Sequence, residues 1–147
     1  MKTCRLIFLS VALTGLFFTA HAADRAHVQG ILISASNDHG ETDRRLAPYE
    51  PTLKRILRFE SYHFLGDDST SLAVPASGHL SLGDGHELEL VTESDDGKGI
   101  HVRVRWTQGG RTLMNTGLVL RAGVPAVLGG PATGKKGEVY AVIVIGK

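Results

Sequence analysis

A chain of 147 residues with 16 basic and 15 acidic side chains sits too near neutrality for bulk attraction to nucleic acid. Its single cysteine excludes an internal disulfide framework and a cysteine metal centre. Whatever the chain does, it does with side-chain packing and with oxygen and nitrogen chemistry.

The N-terminus carries the plainest pattern. Met1-Lys2-Thr3-Cys4-Arg5 is a short basic start, Leu6 to Phe18 is an apolar run, and Thr19-Ala20-His21-Ala22 closes it with small residues at the spacing signal peptidase accepts. Residues 1–22 read as a secretory signal peptide. The apolar run is shorter than the about 20 residues of an ordinary membrane span, and no later stretch qualifies. Cys4 precedes the apolar run rather than marking the cleavage point, which argues against a lipoprotein anchor. Cleavage leaves one domain, residues 23–147, with 14 basic and 15 acidic side chains and no cysteine. The expectation is a periplasmic or extracellular protein held together by packing alone.

Along that domain, Val28 to Ala35 alternates as a strand, and Ser36 to Asp43 is a polar loop. An amphipathic helix is expected over 47–58, where Leu46, Tyr49, Leu53, Ile56 and Leu57 form one apolar stripe. Pro48 and Pro51 fit its first turn, where a missing N–H costs nothing. Glu60 to Leu65 reads as a strand ending at a Gly66-Asp67-Asp68 turn. Leu72 to Val74 and His79 to Leu82, interrupted by Pro75 and Gly78, read as edge strands.

The clearest hairpin sets His86 to Thr92 against Ile100 to Thr107 around Asp95-Asp96-Gly97-Lys98-Gly99. With the turn centred near Asp96, Glu89 faces Arg103 and Glu87 faces Arg105, while Leu88 meets Val104 and Leu90 meets Val102 on the core side. Strands at Thr112 to Leu120, Val124 to Leu128 and Glu138 to Ile145 complete the chain. The last, apolar on both faces, should be central and covered on each side. The fold expectation is mainly β (α+β): a β-sandwich or curled antiparallel sheet with one helix.

Four constellations invite chemistry. Gly129 to Lys136 has two glycines five apart followed by a lysine, the first part of a phosphate-binding loop. Lys136 stands where a hydroxyl should hold magnesium, and a strand rather than a helix follows, so it reads as a basic hairpin turn. His79 and His86 flank a turn carrying Asp84, and both could approach one metal ion, although His86 also suits a packed, hydrogen-bonded core position. The Asn37 to Asp43 loop could assemble a small hydrolase site with a nearby histidine. The plainer reading is a turn with Asp43 capping the helix. Arg55 and Arg58 lie on a basic helix face with Arg44, Arg45 and Lys54, and such a face could bind an anionic envelope polymer or stand merely solvated. No catalytic nucleophile motif occurs, and no cofactor is implied.

Leu118 to Gly130 is similar to a strand–turn–strand late in the conserved domain of bacterial secretins, where a glycine turn precedes an apolar strand and a paired glycine. Glu138 to Ile145 resembles the strand that follows. The chain is too short to supply a secretin's pore-forming strands, so the resemblance implies an envelope-associated β module and not a channel. As a whole, the chain resembles small exported bacterial proteins. The functional expectation is an exported, non-enzymatic binding or accessory module whose partner is an envelope protein or an anionic envelope polymer. A hydrolase built on the Asn37–Asp43 loop and a histidine metal binder are the alternatives.

Overall fold

The computed structural model describes residues 25–147, so the expected signal peptide lies outside the described residues. Eight strands run β1 (Arg25–Ser36), β2 (Ser61–Ala73), β3 (Ala76–Gly83), β4 (His86–Asp95), β5 (Ile100–Gln108), β6 (Arg111–Leu120), β7 (Ala126–Ala132) and β8 (Glu138–Gly146). They form two antiparallel sheets, β2-β1-β8-β7 and β3-β4-β5-β6, packed face to face as a β-sandwich. One helix, α1 (Glu50–Leu57), follows a 3-10 turn at Arg44–Leu46. No helix among the described residues is long and apolar enough to cross a membrane.

The strict alternation of a strand explains why two cores exist. On β8, Val142 and Val144 face the sandwich interior, whereas Ala141, Ile143 and Ile145 face the helix; β1 divides Val28 and Leu32 from Ile31, Ile33 and Ala35 in the same way. The sandwich core joins these to Leu80, Leu82, Leu88, Leu90, Val102, Val104 and Trp106. The second core lies beneath α1, with Leu46 and Leu53 fully buried beside Tyr62. β8 is therefore a central strand covered on both faces, as its composition requires.

α1 is shorter than the apolar stripe suggests. Pro51 lies in its first turn, and Arg58 ends it in the left-handed conformation at φ 57°. With only two turns to work with, Leu53 and Leu57 reach the sheet while Ile56 stays 47 % exposed.

The Gly66-Asp67-Asp68 segment is not a turn. β2 runs through it, with a bulge where the register passes from Gly66 to Phe64. Gly66 is required by close approach, because a Cβ there would collide with the Leu82 carbonyl. Asp68 Oδ2 accepts from the Ser81 N–H at 3.1 Å, so the far half of β2 closes over β3. The β4–β5 hairpin keeps the expected faces but slips by two residues. Glu89 pairs with Arg105, Leu90 with Val104 and Leu88 with Trp106: the turn lies between the paired Asp95 and Ile100 instead of centring on Asp96, which shifts the register by three, and a one-residue bulge at Glu93 takes back one. A slip of two leaves every side chain on its own face.

Candidate functional site

Asp43 accepts from both the backbone N–H and the guanidinium of Arg45, at 3.0 and 2.7 Å, and caps the 3-10 turn. Those bonds hold its carboxyl down at about 2, the opposite of what a general acid needs. The rest of the loop is tied by a local bond from the Asp38 N–H to Ser36 Oγ and by a long-range one from Ser61 Oγ, at the start of β2, to the Asp38 carbonyl. The loop is built as a connection into the helix.

His79 and His86 are not brought together. His86 sits on the inner face of the β4 start, fully buried, and its Nδ1 accepts from the Trp106 indole at 3.0 Å. His79 projects from the outer face of β3, half-exposed, 3.5 Å from Glu87. Two imidazoles on opposite faces of one sheet cannot share an ion, which removes the expected site. Among the described residues, no three metal-ligating side chains cluster. Burial pushes the His86 imidazole below its ordinary value, with the Asp84 carboxylate opposing that shift.

Arg55 is exposed at a shallow depression with Pro51 and Thr52, and Arg58 caps the helix end. Neither has an ion-pair partner among the described residues, whereas Lys54 is paired with Glu50 at 2.8 Å. The basic face is therefore narrower than the sequence implies. The Gly129–Lys136 segment runs from β7 into the β7–β8 hairpin turn, with the Thr133 hydroxyl donating to Glu138 Oε1 at 3.0 Å.

The outer face of β3-β4-β5-β6 carries a crossing row of His79, Glu89, Arg105 and Asn115. Arg105 is ion-paired with Glu89, lowering the Glu89 pKa, and Arg103 is paired with Glu93 at 3.1 Å. An open groove of about 400 Å³ runs beside it, lined by Ser77, His79, Glu89 and Val91. It sets a histidine beside a carboxylate, but Glu89 is already committed to Arg105.

The sheet edges differ more than the grooves do. Four strands are edges: β2 and β7 in one sheet, β3 and β6 in the other. β2 and β3 lie against each other, joined through Asp68 and Ser81. β7 is interrupted by Gly129-Gly130-Pro131, and a proline cannot donate to an added strand. β6 forms a ladder only with β5; β7 and β8 of the other sheet approach it and Ala122, just past its end, bridges to Gly146, but along β6 itself no strand among the described residues pairs with its outer edge. Thr112 to Leu120 contains no charge and no proline, the devices that normally keep an edge from pairing. The sequence pattern locates this strand but not its place at an edge, because strand order depends on partners distant in the chain. Comparison with protein-family models, curated proteins and solved structures finds nothing that matches the chain.

Proposed function

We propose that the chain is an exported, non-enzymatic binding or accessory module of the cell envelope, working outside the cytoplasm, and that it takes its partner at the β6 edge. The observation that carries this reading is the unguarded edge of a ten-residue strand in a molecule whose other edges are covered or broken. Strand addition gives affinity through backbone hydrogen bonds and needs no deep pocket. The signal-like pattern of residues 1–22 supports export.

Expression of the full chain in a bacterial host tests export directly. A product beginning near Ala23 outside the cytoplasm is expected, and an unprocessed cytoplasmic chain would overturn that half. Retention on isolated envelopes tests the binding half with two variants. In an antiparallel strand, neighbouring residues point their N–H groups to opposite sides, so one of Asn115→Pro and Thr116→Pro removes only an outward donor. That variant should keep its thermal midpoint and lose retention. Loss of retention in Arg55→Glu/Arg58→Glu instead would favour an anionic polymer on the helix face.

A further inference from the structure

We infer that the occupant of the β6 edge is an extended segment of a partner protein with an uncharged middle of about nine residues and acidic side chains at its ends. This rests on the reading of β6 as the binding edge and adds the chemistry of what binds there.

The charges on β6 and around it carry the argument. Nine uncharged residues, Thr112 to Leu120, are bracketed by Arg111 and Arg121. Both arginines are exposed, and neither is ion-paired among the described residues. The two arginines of the neighbouring strand differ: Arg103 is bound to Glu93 and Arg105 to Glu89. The unpaired guanidinium groups of Arg111, which opens β6, and Arg121, which follows its last residue, thus bracket the edge, some ten residues or about 33 Å apart at strand rise. Past Leu120 the chain crosses to Gly146 of β8, and between that crossing and the β4–β5 turn lies a depression of about 230 Å³ whose lining includes Lys98, Lys147 and Asp95. Asp95 is turned to the Gly97 N–H at 2.8 Å.

The same charges disfavour a second copy of the chain. Full-length antiparallel self-pairing about Thr116 sets Arg111 against Arg121 of the copy, and parallel pairing sets each arginine against itself. Like charges directly opposite are destabilising in either case. An uncharged stretch flanked by glutamates meets opposite charge at both ends in both directions.

Fluorescence anisotropy of the processed chain with labelled eleven-residue peptides tests this. One probe has nine alternating threonines and valines between two glutamates; the other has the same middle between two lysines. The glutamate probe should bind at least about tenfold more tightly at low salt, with the preference collapsing at high salt. Arg111→Glu/Arg121→Glu should invert the preference, and these exposed, unpaired positions leave the fold intact. Equal binding of both probes, abolished by the edge proline, would overturn the charge selection while leaving the edge reading in place. Binding of neither probe would overturn both. Concentration-dependent dimerisation lost in the edge-proline variant would overturn the partner assignment in favour of a second copy.

Discussion

The Trp106 indole N–H donates to His86 Nδ1 across 3.0 Å, inside the sandwich, while the other ring nitrogen of His86 is buried with no partner among the described residues. An indole nitrogen can only donate, so Nδ1 must be unprotonated and the imidazole hydrogen sits on Nε2. Tyr140 packs over the same imidazole with ring centroids 4.5 Å apart. A second proton on His86 would have to displace the Trp106 bond.

Stability should therefore fall on mild acidification. The folded-state pKa of His86 lies below its ordinary value of 6.5 because burial disfavours the cation. The unfolded chain binds the proton first, so this contribution is complete above about pH 6.5 and is lost as pH falls through the lower folded value. Asp43, held at about 2, acts in a separate window, with stability present above 3.8 and lost as pH falls through about 2. Trp106→Phe removes the indole donor. It should lower stability at pH 7.5 by about 1–3 kcal/mol for the orphaned acceptor, before any packing loss. It should also flatten the dependence between pH 5 and 7. Chemical denaturation of both chains across that range checks this; an unchanged slope would show that the hydrogen bond does not govern His86 protonation.

Two adjacent glycines of β7 should respond oppositely to a methyl group. A Cβ on Gly130 would collide with the Trp106 ring and lie 3.0 Å from the Tyr140 carbonyl oxygen. Gly130→Ala should cost about 1–3 kcal/mol, as overpacking does. On Gly129 a Cβ would meet Leu57 Cδ2 at 3.6 Å, an ordinary contact, so Gly129→Ala should be nearly neutral. Thermal midpoints of the pair decide it, and equal shifts would show that Trp106 has room to move.

Zinc should not recruit His79 and His86 together. Their opposite faces leave His79 with the Glu87 carboxylate and with Glu89, which is already paired with Arg105, and such exposed groups hold a metal weakly. His79→Ala should give the same zinc-dependent thermal shift as the parent chain. A chelator-reversible shift seen only in the parent would restore a metal role for His79.

How much was legible in the sequence depended on whether the signal was local. The seven residues Val139 to Ile145 declared a strand buried on both faces because no residue among them is charged. The faces of Glu87, Glu89, Arg103 and Arg105 followed from alternation alone, but their pairing did not, since it depends on where the Asp95–Ile100 turn closes and on a bulge that nothing in Glu93 announces. Gly66 has the composition of a turn and the function of a close contact with Leu82, which only the crossing of β2 over β3 reveals. The hydrogen bond between Trp106 and His86 was within reach because both fall on the inner face of one hairpin. The free edge of β6 was not, because it is defined by the absence of a neighbour on one side, a property of strand order.

The turn between β2 and β3 should depend on one hydroxyl. Thr92 on β4 is fully buried, and its Oγ1 accepts from the Ala76 N–H at 2.8 Å while donating to the Ala73 carbonyl at 2.7 Å. Ala73 closes β2 and Ala76 opens β3, so a single side chain satisfies both ends of the Val74–Pro75 link between the two sheets. Thr92→Val matches the shape and deletes only the hydrogen bonds. Two backbone groups then lose their partner, and the cost should be about 1–3 kcal/mol for each that stays buried. Thr92→Ser keeps the hydroxyl and loses a methyl, so it should cost less than the valine variant despite removing more apolar volume. Equilibrium denaturation of the two variants orders them. A valine variant as stable as the parent would mean that water replaces the hydroxyl at the turn, and that the link between the sheets is held by packing of Leu72 and Leu90 instead.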